Sequence, residues 1–159
     1  MTRQLFGAYA ETIIESGADE ARLSGSATIE AEHLLLSIAA EQDSAVAPLL
    51  AAAGLDHAAI RLALRREFCE SLRAAGVSIA EKDLPEPCVS TGRPSRMGQS
   101  AKLAFERGIT AAGGKKDLRP GHLLLGVLRL ELGTVPRALA LAGVDRAALR
   151  ESVEQSLRD

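Results

Sequence analysis

The sequence predicts an all-α protein made of a duplicated four-helix unit, an eight-helix pseudo-twofold bundle. Three observations carry this. Alanine, the best helix former, is abundant. Val, Ile and Thr are sparse and do not alternate, so no strand pattern emerges. The string His33-Leu34-Leu35-Leu36 recurs as His122-Leu123-Leu124-Leu125, an offset of 89. That register holds without a gap through Val46/Val135, Leu50/Leu139, Ala53-Gly54/Ala142-Gly143, Asp56/Asp145 and Arg61/Arg150. Upstream the offset is 91, matching Gly7/Gly98, Ala10/Ala101, Glu15/Glu106, Gly17/Gly108 and Ala21/Ala112. The second copy therefore has a shorter turn between Ala112 and His122.

Each element follows from local pattern. Leu5, Tyr9 and Ile13 form an i, i+4 stripe on a first helix running to Leu23. A second helix spans 29–41. Its leucine run leaves little polar face, which predicts a central, buried helix. Thr28 is the expected cap, and Glu30 and Glu32 sit favourably at the positive end of its dipole. A short third helix covers 44–53 and stops at Gly54. Asp56 caps a fourth, with Ile60, Leu64, Phe68 and Leu72 as its apolar stripe. Leu149, Val153 and Leu157 repeat the first three of these, which predicts the same packing for both fourth helices. In the second copy Gly113-Gly114-Lys115-Lys116 is a turn, Asp117 the expected cap, and Pro120 is tolerated in a first helical turn.

Between the copies, Pro85, Pro87 and Pro94 prevent a helix. The expected division is a first repeat over 1–76, a mobile linker over 77–95 acting as a tether, and a second repeat over 96–159, all within one domain.

Composition narrows the function. At 159 residues and 47% apolar, the chain suits one compact domain rather than a multidomain motor. No apolar run approaches the roughly 20 residues a membrane helix needs. Met1 to Gly7 has no long apolar core, so no secretory leader is expected. Two cysteines, Cys69 and Cys88, are too few for a disulfide scaffold and point to a reduced cytoplasmic setting. A net charge of −2 with 3% aromatics lacks the basic surplus and stacking rings of a nucleic-acid binder. The patch Arg61, Arg65 and Arg66 reads as a solvated helix face paired with Glu67 and Glu70. A helical DNA-binding or regulatory protein is the alternative.

No catalytic constellation is evident. His33 and His122 lack a second ligand three or four residues on and read as packed, hydrogen-bonded histidines. Neither cysteine has an ordered base, and no Gly-x-Ser-x-Gly elbow occurs. Gly113-Gly114-Lys115-Lys116 misses the phosphate-loop pattern, with Ile109 at its first position and no hydroxyl after the lysine. No enzyme activity, metal or cofactor is expected.

Two copies of a unit with a Glu-His-Leu-Leu-Leu-like central helix and an Ala-x-Gly stop resemble the N-terminal domain of the Clp chaperone-unfoldase ATPases. Phe6, Ala10, Ala18, Ala21, Gly25, Ile29 and Glu32-His33-Leu34-Leu35-Leu36 match best. The resemblance implies a non-catalytic eight-helix bundle that receives substrates and adaptor proteins. It also implies recognition of phosphoarginine through the glutamate before the histidine, and docking of cyclic-peptide antibiotics where the first helices of the halves meet. Carried over, these give Glu32 as the phosphoarginine contact and Met97, Lys102 and Glu106 as antibiotic-docking positions. Gly121 stands where the second glutamate would be, and Ala31 and Pro120 replace the family's threonines. Glu32 suits a guanidinium, with the helix N-terminus expected to hold a phosphoryl group. The chain is then either a free-standing accessory of a Clp ATPase, or a sequesterer of peptide antibiotics, or a domain cut from a larger ATPase.

Overall fold

The computed structural model describes residues 7–159. Among them it has eight α-helices: α1 Ala8–Leu23, α2 Ala31–Ala40, α3 Ala47–Ala52, α4 His57–Ala74, α5 Gln99–Ala112, α6 Pro120–Leu128, α7 Thr134–Leu141 and α8 Arg146–Arg158. Single 3-10 turns occupy Glu81–Asp83 and Lys115–Asp117. The described residues contain no strand, only one parallel bridge between Ile29 and Met97. None of their helices is long and apolar enough to cross a membrane.

The two leucine-rich helices form the centre, as their patterns require. Leu34, Leu35, Ile38, Leu123, Leu124 and Leu128 are all essentially inaccessible. α2 packs on α1 and α4, α6 on α5 and α8, and α2 meets α6. The outer helices cross over between halves: α4 packs on α7 and α3 on α8. Each fourth helix thus lies on the second helix of its own half and the third helix of the other. Each half buries what the other leaves exposed, which is how a 159-residue chain shares one core.

The repeat extends to detail. Gly54 and Gly143 end the third helices with φ of 70° and 72°, a left-handed conformation that penalises other residues. Asp56 and Asp145 both cap, accepting from the N–H groups of Ala59 and Ala148 at 2.7 and 3.0 Å. Gly108 of α5 lies on the α6 backbone, where a Cβ would come within 3.0 Å of the His122 carbonyl oxygen. Gly126 of α6 lies against the Ala104 carbonyl, where a Cβ would sit at 2.1 Å. Helices α5 and α6 therefore touch backbone to backbone.

Several local expectations are corrected. The cap of α2 is Glu30, not Thr28, whose hydroxyl instead donates to the Glu30 carboxylate at 2.8 Å. The cap of α6 is Arg119, and Asp117 lies in the preceding 3-10 turn. In both helices the third residue is the histidine, and its Nδ1 accepts from the capping residue's N–H: Glu30 to His33 at 2.9 Å, Arg119 to His122 at 3.0 Å. The ring thereby satisfies a backbone donor that hydroxyl caps leave free. Of the α1 stripe, Ile13 is buried, Tyr9 packs partly against the core, and Leu5 lies outside the described residues. The α4 stripe is rotated: Ile60, Ala63 and Cys69 are buried and Leu64 only partly, while Phe68 is 51% exposed. Glu67, which the apolar pattern gave no reason to bury, is 5% exposed.

Candidate functional site

A groove of about 880 Å³ opens along α1, α2 and α4 of the first half. Leu23, Leu36, Leu64 and Phe68 give it apolar walls. Its far wall is the connector between the halves, through Leu84, Pro85, Glu86, Pro87 and Val89. Thr134 at the start of α7 closes one end.

The connector is more than a tether, because α4 holds it in place. The Arg65 guanidinium donates to the Glu81 and Leu84 carbonyls at 3.4 and 3.0 Å and faces Glu86 at 3.5 Å. Arg66 meets Glu81 at 3.6 Å, Arg93 meets Asp19 at 3.6 Å, and the Ser90 N–H donates to the Arg22 carbonyl. Carbonyls in a proline-interrupted segment have no helix to accept them, so a charged donor nearby is stabilising. The patch Arg61, Arg65 and Arg66 is thus engaged, but not with the expected Glu67 and Glu70. Arg61 pairs with Glu20 at 2.9 Å, and Glu67 pairs instead with Arg137 of α7 at 2.9 Å.

Glu32 lies half-buried in the groove. Burial pushes its carboxyl up, its own backbone N–H pulls it down, and Glu30 and Glu67 push it up further. The net direction is upward, so desolvation outweighs the local dipole. The other carboxylates of the lining have basic partners: Glu20 meets His57 and Arg61, Glu67 meets Arg137, and Glu86 meets Arg65. No basic residue pairs with Glu32 among the described residues.

Beside it, Ser24 Oγ and His33 Nε2 stand 3.0 Å apart, a spacing that suggests a nucleophile and its base. The proton placement excludes that role. Nδ1 accepts from the Glu30 N–H, so the proton is on Nε2, which donates to the serine. The Ser24 hydroxyl donates onward to the Ala21 carbonyl at 3.0 Å. A general base needs the opposite tautomer. Burial also lowers the His33 pKa to about 4, leaving a weak base.

The remaining sequence-predicted positions fall elsewhere. Met97 packs partly against the core, and its neighbours bridge the halves: the Ile29 N–H donates to the Arg96 carbonyl and the Gly98 N–H to the Ile29 carbonyl. The Glu30 carboxylate lies over Gly98, and a Cβ there would push it aside. Glu30 also accepts from Ser100, whose oxygen takes the Ala31 N–H at 2.9 Å. Lys102 and Glu106 are exposed, one turn apart on α5. Neither they nor Met97 line the groove.

The second half does not repeat the lining of this groove. Its counterpart of Glu32 is Gly121, and its counterpart of Phe68 is Leu157. Leu157 lies over Gly121, where a Cβ would meet the leucine side chain at 2.8 Å, and Arg119 donates to the Leu157 carbonyl. A hollow of about 420 Å³ lies beside His122, lined in part by Lys116, Asp117 and Arg119. Sequence reasoning noted Gly121 and paired Leu157 with Phe68 but expected both to pack alike, whereas Leu157 covers Gly121 and Phe68 stays half exposed. It also missed the connector as a wall; the arginines on α4 were the available signal.

This architecture, two crossed four-helix halves, is similar to that of a solved Clp chaperone N-terminal domain. Residues 5–82, a little under half of the chain, match the model of the Clp repeat (R) N-terminal domain. The fold is similar over 100% of the chain and 98% of the other to the N-terminal domain of the caseinolytic-protease-associated chaperone ClpD from Arabidopsis thaliana, with a TM-score of 0.67 and 19% identity. A structure from investigations of a malarial protein secretion system is similar over 94% of this chain and 92% of that one, with a TM-score of 0.60 and 14% identity. No curated protein sequence matches the chain.

Proposed function

We propose that the chain is a non-catalytic recognition domain that takes polypeptide segments of substrates or adaptors into the groove beside Glu32. The observation that supports this most is a half-exposed Phe68 standing beside a carboxylate with no basic partner. An aromatic ring left open next to an unpaired charge resembles an interface anchor more than a finished core. Lys102 and Glu106 on the exposed face of α5, with Met97 at its base, form a second docking place for a cyclic peptide or a partner Clp ATPase. The chain acts in the cytoplasm as an accessory of such an ATPase, and its free Cys69 and Cys88 suit a reducing compartment.

The test is fluorescence anisotropy with a labelled unfolded polypeptide. Phe68→Ala and Glu32→Ala should each weaken binding about tenfold, and Glu151→Ala on the exposed face of α8 should leave it unchanged. Equal affinity for all variants would move the site away from the groove.

A further inference from the structure

We propose that the connector is a strap along the groove, hinged on α1 and latched to α4 by charge, and that releasing the latch admits a polypeptide. The proposal rests on the groove being a polypeptide seat and adds how entry to it is regulated. A groove of about 880 Å³ has the size of a small-molecule pocket, whereas a polypeptide needs an open-sided channel. One wall must therefore move. The helices α1, α2 and α4 bury Ile13, Leu34, Leu35, Ile38 and Ile60 in the shared core and cannot part without unpacking it. The connector has no such stake, since no residue from Val77 to Ser95 is buried.

The strap's two attachments differ in kind. On the α1 side the Ser90 N–H donates to the Arg22 carbonyl at 3.0 Å, and the Cys88 carbonyl sits against Gly25, where a Cβ would come within 2.4 Å. This backbone-to-backbone seat is the hinge, and Arg93 meets Asp19 just beyond it. On the α4 side only two arginine side chains hold on, Arg65 to the Glu81 and Leu84 carbonyls and to Glu86, and Arg66 to Glu81. Glu86 is 87% exposed, and both ends of the Arg66–Glu81 pair are open to solvent. Ion pairs in water contribute little each and are screened as salt rises. Between the two attachments, residues 85–89 make no backbone hydrogen bond to any described residue, and Pro85 and Pro87 have no N–H to offer. With the latch released, the stretch from Glu81 to Pro87 bows away from α4 about Cys88–Ser90. That carries Leu84, Pro85 and Pro87 off the groove and leaves Phe68 facing an open channel.

The experiment reads the strap and the seat separately. A spin label on Lys82→Cys, in a Cys88→Ser chain whose Cys69 is buried, reports the strap's freedom. Stopped-flow anisotropy of a labelled, uncharged unfolded polypeptide reports entry without electrostatic steering. Raising KCl from about 0.05 M to about 1 M should mobilise the label and speed association about three- to tenfold, because the rate scales with the open fraction. Arg66→Glu and Arg65→Met should each do the same at low salt, and adding Glu81→Arg to Arg66→Glu should reverse the change in part. Melting temperatures near that of the wild type show that the bundle is intact throughout. A label equally immobile in every sample would overturn the latch and leave the seat standing. A mobilised label with association unchanged or slower would overturn the control of entry. A mobilised label with no association in any sample would remove the seat, and its regulation with it.

Discussion

Replacing His33 by glutamine should flatten the acid side of the stability profile. His33 is 3% exposed, and burial lowers its pKa from an ordinary 6.5 to about 4. The unfolded chain therefore takes up a proton near pH 6.5 that the folded chain refuses until about pH 4. Stability from this group is complete above pH 6.5 and is lost as the pH falls toward 4. The loss is about 2.5 pH units at 1.36 kcal/mol each, so about 3 kcal/mol in full and somewhat less by pH 4.5. Glutamine at the third helical position can still accept from the Glu30 N–H, which retains the cap without a titrating group. Glu32 and Glu41, both pushed up by burial, act in the opposite sense, but they are present in both proteins and cancel in the difference. Urea denaturation at pH 7.5 and pH 4.5 measures the effect. The wild type should lose about 2 to 3 kcal/mol more than His33→Gln between the two. Parallel losses, or a ring that titrates near 6.5 by NMR, would refute a buried neutral histidine at this cap.

Three further substitutions probe packing within the second half and one ion pair between the halves. Gly126→Ala puts a Cβ 2.1 Å from the Ala104 carbonyl oxygen, where backbone cannot rotate away, so α5 and α6 must separate. Even with about 1 kcal/mol gained from helix propensity, a net loss of about 2 kcal/mol or more is expected in thermal or urea denaturation. Gly121→Ala meets only the movable end of Leu157 and should lose about 1 kcal/mol or less in the same assay. Arg137→Ala leaves the buried Glu67 carboxylate with only the Ser71 hydroxyl, and should destabilise the protein by about 2 kcal/mol. Adding Glu67→Gln should restore part of that loss, and a strictly additive double mutant would show that the two do not interact.

The fold was legible because its strongest signals are local and were written twice. The leucine triplets, the glycine stops at Gly54 and Gly143 and the caps Asp56 and Asp145 each act within one turn of chain. The histidine caps were half visible: His33 and His122 were expected to be packed and hydrogen-bonded, but the partner turned out to be a backbone N–H three residues back. Where the pattern misled, a distant partner decided. Glu67 is buried because Arg137 of the other half reaches it. Phe68 is open because the connector and α4 enclose a groove instead of closing on it. Of the candidate residues, Glu32 alone lines that groove. Its lack of a basic partner depends on which arginines other carboxylates take, and spacing along one chain does not encode that.

The seal that Leu157 makes over Gly121 has a consequence for stoichiometry. A duplicated domain would ordinarily offer two equivalent seats and gain avidity from a ligand that reaches both. If the groove beside Glu32 is the proposed seat, its counterpart in the second half is filled from within, and a tandem ligand meets one such groove per chain. Any avidity must then come from several chains held side by side, and its strength is set by their spacing rather than by either half alone.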